Sequence, residues 1–256
     1  GDNIIHRSAN TAWYAGPTLI GFLETVSPRR PDAAAFAFPV QWVNRPNQDF
    51  RGYAGTIASG VLRTGDDVRA VHTGQLARVA RIATFDGDLP EAAARQSVTL
   101  VLDREIDLSR GDVLCAPAQP LQTTDQFEAT IVWMGEEAGL VGRTYEMKSI
   151  CHEGSASITQ IKHRIDVNTL AHEAQRKLQL NDISVCNLAT TKPFAFGPYA
   201  ESPSFGSFIL IDKFSNNTVA AGFIRHSLRR SQNIHRQSHA IGRAQREQLN
   251  GHRGRV

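Results

Sequence analysis

The chain has 256 residues, 41% hydrophobic and 21% charged, with a formal net charge of +3, a balance that fits a globular protein of one or two domains and excludes a disordered tail or a collagen. The charge is unevenly placed: residues 225–256 hold eight Arg against one Glu and carry +7, which leaves −4 on residues 1–224. The longest apolar stretches, such as Phe208 to Ile211, fall far short of the roughly 20 residues that cross a bilayer.

No membrane is therefore expected among the partners. The first residues, GDNIIHRSAN, lack the basic-then-apolar layout of a secretory leader, and the reading is an internal fragment from the cytoplasm. Cys115, Cys151 and Cys186 are odd in number and widely spaced, without CxxC, so buried free thiols are expected rather than a disulfide framework or a zinc site.

In chain order, Thr18 to Val26 places Leu19, Phe22, Leu23 and Val26 at helical spacing behind Gly16-Pro17, which predicts one short amphipathic helix with proline in its first turn. Ser27-Pro28-Arg29-Arg30-Pro31-Asp32 stops it, since two prolines within four residues favour extended backbone, and reads as a linker. From Phe36 the period becomes two, with Phe36, Phe38, Val40 and Trp42 expected on one face. Strands punctuated by Gly52, Gly55, Gly60, Gly65 and Gly74, with a turn at Asp86-Gly87, continue to about Val113 and suggest a small closed barrel. Ala116 to Pro120 is a second break. ATIVWM, RTYEMKSI, SASITQIKH, ISVCNL and the hairpin around Asn216-Asn217 then predict a second all-β unit, interrupted by a short helical stretch at Leu170 to Leu180. The tail from Arg225 is too poor in large apolar residues to build a core.

The sequence contains no GxxxxGK[ST] string, no GxSxG elbow and no HExxH pair. Asp86-Gly87-Asp88 lacks the ligand series and closing Glu of a calcium loop, and Arg110-Gly111-Asp112 reads as a tight turn. Two constellations remain. His163, Arg164 and Asp166 put an imidazole, a guanidinium and a carboxylate within four residues at a strand end, with Asp166 or Asn168 suited to cap a following helix. Asn44, Arg45 and Arg51 lie on a loop leaving the first strand, where guanidinium pairs suit a partner's carboxylates or phosphates. No catalytic, cofactor-binding or metal-ligating residue is assigned.

GTIASGVLRTGDDVRAVHTG, followed by RVARI, QSVTLVL and EIDLSRGDVL (Gly55 to Leu114), resembles the second β-barrel of translation-factor GTPases. FEATIVWM, ITQIKHRIDVNT and FGSFILIDKFSNNTVAAGFI resemble the third. Finer details, TAWYAGPTLIGFLETV, FPVQWVNRPNQDFRGYAGTIASG and IKHRIDVNTL, are similar to the GTPase subunit of bacterial sulfate adenylyltransferase (ATP sulfurylase). In fused versions of that subunit an LRRxxNIHWQ segment leads to an adenylylsulfate kinase; here Leu228 to Gln237 reads LRRSQNIHRQ, with Arg236 in place of the usual Trp.

The resemblance implies an all-β fold of two consecutive translation-factor-type barrels with a short N-terminal helix and a basic C-terminal linker. Residues 1–33 would be the end of a GTPase domain and its linker, 34–118 and 123–224 the barrels, and 225–256 the linker toward a kinase domain. It implies GTP and Mg in the GTPase domain, ATP on a partner, and no cofactor in this stretch. The partners it implies are the catalytic (small) subunit, the chain's own GTPase domain and the kinase domain. The GTPase subunit of that family couples GTP hydrolysis to ATP + sulfate → adenylylsulfate + diphosphate on the catalytic subunit. Interface candidates are Asn44, Arg45, Arg51, His163, Arg164 and Asp166. The alternative is a pair of tRNA-binding barrels from an elongation-factor-like GTPase, which the acidic body disfavours because phosphate recognition needs cations.

Overall fold

A computed structural model describes residues 1–27, 34–47 and 50–228. Most of the proline linker and nearly all of the basic tail lie outside the described residues. The chain divides into two compact units, Gly1–Leu121 and Gln122–Val256.

The first unit opens with helix α1 (Leu19–Thr25), capped by the Thr18 side chain, which accepts from the Gly21 N–H. The helix starts two residues after Pro17, not on it, because the Thr18 hydroxyl satisfies a free amide that proline at the first turn would only have removed. Among the described residues ten strands follow: β1 (Ala37–Pro39), β2 (Trp42–Asn44), β3 (Gly52–Thr56), β4 (Val61–Arg63), β5 (Asp67–Ala70), β6 (Leu76–Thr84), β7 (Gly87–Leu89), β8 (Glu91–Ala93), β9 (Ser97–Leu102) and β10 (Val113–Cys115). The order is β1-β10-β5-β6-β9-β3-β2. Since β1 and β2 are the halves of one bent stretch, pairing β1 to β10 and β2 to β3 closes the sheet on itself. In β9 Val98, Leu100 and Leu102 are buried while Ser97, Thr99 and Val101 alternate with them. Phe36, Phe38, Tyr53, Ile57, Leu62, Ile82 and Leu100 fill the interior.

The expected face Phe36–Phe38–Val40–Trp42 breaks at its last member. Phe36, Phe38 and Val40 are buried, but Trp42 is 61% exposed, because the backbone leaves the ladder at Val40 and Gln41 between the two halves and re-enters with its phase changed. Val43 packs on the core instead.

The second unit holds β11 (Gln122–Trp133), β12 (Gly139–Leu140), β13 (Thr144–Ser149), β14 (Glu153–Ile165), β15 (His172–Glu173), β16 (Lys177–Leu178), β17 (Ile183–Phe196), helix α2 (Pro203–Gly206), β18 (Ser207–Ile211) and β19 (Thr218–Ser227). The order β13-β18-β19-β11-β17-β14, with β14 returning to β13, is a closed six-stranded barrel. Phe127 sits in its interior with edge-on contacts to Phe194 (5.6 Å) and Phe208 (5.5 Å), the arrangement that aromatic quadrupoles favour. Trp133 meets Tyr145 edge-on at 5.6 Å, and its Nε1–H donates to the Glu137 carbonyl at 2.9 Å. The hairpin β18–β19 turns where the sequence places Asn216-Asn217, with Asn216 at φ 57°.

No helix forms over Leu170 to Leu180. Leu170 has φ 59°, Arg164 and Ile165 pair with Glu173 and His172, and Lys177–Leu178 pairs with β12. An eleven-residue helix is marginal by its own propensity, and here the open strand edges claim its backbone donors and acceptors. Cys115, Cys151 and Cys186 are buried and free, and burial pushes the Cys186 thiol up to about 12. No helix among the described residues is long and apolar enough to cross a membrane.

Candidate functional site

On the first barrel, the loop after β2 and the start of β3 bring Arg45 and Arg51 to one carboxylate. Glu105 lies 3.5 Å from the Arg45 guanidinium and 3.4 Å from that of Arg51. The Arg51 guanidinium also stands 5.6 Å from the centre of the Tyr53 ring, close enough for a cation–π contribution. Tyr53 is buried and its hydroxyl donates to the Ile106 carbonyl at 3.1 Å. Burial raises the Tyr53 phenol above its ordinary range, with Arg51 opposing. The two arginines thus do converge on a carboxylate, but one supplied by their own chain. Asn44 ends β2 and borders a different feature, a shallow groove on the outer surface of the barrel.

On the second barrel the residues His163, Arg164 and Asp166 do not converge. The His163 ring stacks on His172 with centroids 3.9 Å apart, and its burial, reinforced by His172 and Arg225, pushes the imidazole below its usual range. Arg164 reaches Glu173 (3.8 Å) and buried Asp182 (3.6 Å). Asp166 caps its own loop, accepting from the N–H groups of Asn168 (2.9 Å) and Thr169 (2.8 Å) and from the Thr169 hydroxyl (3.0 Å). Those donors hold its carboxyl below the ordinary value. The capped loop leads into strand β15, so the anticipated helix cap is a hairpin turn.

The neighbouring centre of charge was not legible in the sequence. Glu128 on β11 is 5% exposed and takes Lys162 of β14, Arg225 of β19 at 3.2 Å and His226 at 3.9 Å. Burial opposes its ionisation, but the hydrogen bond and charge of Lys162, with His226 and Arg225, hold the carboxyl below its usual range. The only trace in the sequence is an acidic residue in the apolar strand FEATIVW; its cations come from strands 34 and 97 residues away, which no local pattern reveals.

This network has a pH signature. A carboxyl whose folded-state pKa is depressed contributes stability that is complete above its unfolded value, about 4.3, and is lost as pH falls through the folded value. Glu128→Gln is therefore expected to cost about 2 kcal/mol at pH 7, and the difference from the wild type should narrow progressively as pH falls from that unfolded value through the lower folded one. Urea titrations at pH 7 and pH 3.5 measure both. A difference independent of pH would show that Glu128 acts by packing alone.

The sequence carries no phosphate-binding loop, and among the described residues no group of three or more His, Cys, Asp and Glu could hold a metal ion. What the first barrel does present is a groove of about 460 Å³, with Gln41, Asn44, Phe50, Ala54, Thr99 and Phe85 in its lining.

Residues 126–225 match the family described as GTP-eEF1A C-terminal domain-like. The chain is 49% identical to the bifunctional enzyme NodQ of Rhizobium sp. (strain N33), over all of this chain and 40% of the relative. It is 44% identical to the bifunctional enzyme CysN/CysC of Xylella fastidiosa, over all of this chain and 41% of the relative. Sulfate adenylyltransferase subunit 1 of Shewanella woodyi is 46% identical over 89% of this chain and 49% of its own length. The chain thus spans two fifths to one half of the relatives it matches. Among solved structures, sup35 complexed with GDP superposes with a TM-score of 0.70 at 21% identity, covering 90% of this chain and 57% of that one. This likeness concerns the translation-factor-type fold.

Proposed function

We propose, from the premise that this chain belongs to the family of sulfate adenylyltransferase subunit 1 and its bifunctional relatives, that it forms the barrel portion of a GTP-dependent large subunit. In this reading GTP and Mg belong to a GTPase domain and ATP to a catalytic small subunit, where ATP and sulfate give adenylylsulfate and diphosphate. The barrels relay the nucleotide state to that subunit as stiff bodies, with Ala116 to Pro120 and the proline linker as hinges. The observation that carries the reading is similarity along the entire chain to proteins bearing these names, at an identity far above that of the translation factors sharing the fold.

The N-terminal segment supports it. Ile5, Trp13, Leu19, Phe22 and Leu23 are all exposed, and α1 buries no residue. A helix with an uncovered apolar face needs a partner surface, and residues 1–33 as the end of a GTPase domain would have one in the body of that domain. In the same reading residues 34–118 and 123–224 are the barrels and 225–256 leads toward a kinase domain. Arg45, Arg51, His163, Arg164 and Asp166 remain proposed rim residues of interfaces; Arg45 and Arg51 would act there with Glu105 as a cluster that keeps one net positive charge.

The test uses purified chain and purified catalytic subunit. The chain alone is expected to hydrolyse no GTP and to form no adenylylsulfate, yet to co-purify with the catalytic subunit. GTP turnover by the chain alone would overturn the reading. Affinity for tRNA at physiological salt that survives deletion of residues 225–256 would replace it with the elongation-factor alternative.

A further inference from the structure

We propose that the groove beside Phe85 on the first barrel is the docking surface for an uncharged, extended segment of the catalytic subunit, anchored by one large apolar side chain. This rests on the large-subunit reading and deepens it.

The groove is built from the outer face of the barrel. Strand pairing sets Trp42 beside Ala54, Ala54 beside Thr99 and Thr99 beside Ala83, a row crossing four strands in about 14 Å at the usual strand spacing. The three members beyond Trp42 are small, so the floor is shallow and wide. Aromatic rings stand at its margins. Phe50 packs over Gly52, where an added Cβ would lie 2.9 Å from the ring. Phe85 tips the β6–β7 hairpin and is 103% exposed. A fully exposed phenylalanine sits on a turn that Asp86-Gly87 already specifies, and nothing in the barrel requires an aromatic there.

Two further observations select the occupant. Every described residue lining the groove is uncharged, and the arginines nearest to it each meet a carboxylate: Arg81 is held by Asp88 at 2.8 Å, and Arg45 and Arg51 share Glu105. Phosphate recognition demands free cations, and the described lining of the groove contains no Lys or Arg, which disfavours nucleic acid in the groove itself. The side chains of Gln41, Asn44 and Thr99 make no hydrogen bond to another described residue. Free carboxamides beside apolar walls match the alternating N–H and C=O groups of an extended peptide, with a side chain seated between Phe50 and Phe85. About 14 Å of floor accommodates roughly four extended residues. An aromatic anchor in a neutral pocket is the composition of an interface centre.

The experiment measures binding of the purified catalytic subunit to the full-length natural form of this protein and to three variants. Phe85→Arg and Asn44→Asp, both at solvent-accessible positions where folding should be unaffected, are expected to weaken binding at least tenfold. Phe214→Arg, at the 91% exposed tip of the β18–β19 hairpin, should leave it unchanged. Wild-type binding with Phe85→Arg binding equally well overturns the groove assignment alone. Loss in Phe214→Arg without loss in Phe85→Arg moves the surface to the second barrel and likewise overturns it. Failure of the wild type to bind overturns the large-subunit reading and this inference together. A parallel filter-binding assay with tRNA, if Phe85→Arg weakens only that, overturns the choice of a protein occupant.

Discussion

Gly60→Val is expected to unfold the first barrel while β11–β19 retain their protection. Gly60 has φ +76°, and a Cβ there would lie 2.6 Å from the Phe36 backbone nitrogen and Cα and 2.8 Å from the Ala34 carbonyl. The left-handed region costs an L residue about 1–2 kcal/mol. The contact adds about 1–3 kcal/mol, because backbone atoms cannot rotate aside as a side chain would. The total, about 4 kcal/mol, is a large share of the stability of a small domain. Gly65→Ala separates the two causes: Gly65 has φ +95° but nothing within 4 Å, so it should cost only about 1 kcal/mol. Hydrogen exchange resolved by peptide distinguishes the outcomes. Equal losses from the two substitutions would mean that strain alone, without the close approach of Phe36, explains the glycine.

Trp133→Ala should be the corresponding lesion in the second barrel. Trp133 is fully buried, meets Tyr145 edge-on and donates to Glu137, and an added Cβ at Gly139 would lie 2.7–2.9 Å from its ring. Truncation removes an indole from between rigid neighbours and leaves a void, for about 3–5 kcal/mol. In a domain of roughly 100 residues this lowers Tm on the order of 15 °C. Trp133→Phe retains most of the volume but leaves the Glu137 carbonyl without its donor, and about half that loss is expected. Differential scanning calorimetry of both variants checks the order. A larger loss in the phenylalanine variant would show that the hydrogen bond, not packing, dominates.

The turns were the most legible part of the molecule. Asp86-Gly87, Arg110-Gly111-Asp112 and Asn216-Asn217 all turn as their chemistry demands, with Gly87 at φ 126°, Gly111 at φ 95° and Asn216 at φ 57°. The information lies within a few residues, since a left-handed backbone favours glycine or asparagine at these turns. The strands were legible for a similar reason: a buried face imposes alternation, as in Val98, Leu100 and Leu102.

The failures share one cause. Leu170 to Leu180 has helical spacing, but the vacant edges beside β14 and β12 captured it as two short strands. Trp42 kept its period-two position yet faces outward, because the bend that lets β1 and β2 serve opposite neighbours lies between two residues that look like ordinary strand. Of the candidate residues, Arg45 and Arg51, which suit a partner's carboxylates or phosphates, meet a carboxylate of their own chain, Glu105, more than fifty positions away. His163, Arg164 and Asp166 are close in sequence, yet each serves a different partner, since strand geometry sends neighbouring side chains to opposite faces.

By itself the sequence determined the barrel architecture, the glycine and asparagine turns and the buried thiols. Each of these is written in local periodicity, local backbone conformation or a contiguous string. The tertiary structure alone decided which cations neutralise Glu128, which carboxylate joins Arg45 to Arg51, and that Phe85 borders a neutral groove with Gln41 and Asn44 open to solvent. These are contacts between strands far apart in the chain, and barrel closure, not sequence proximity, sets what meets what.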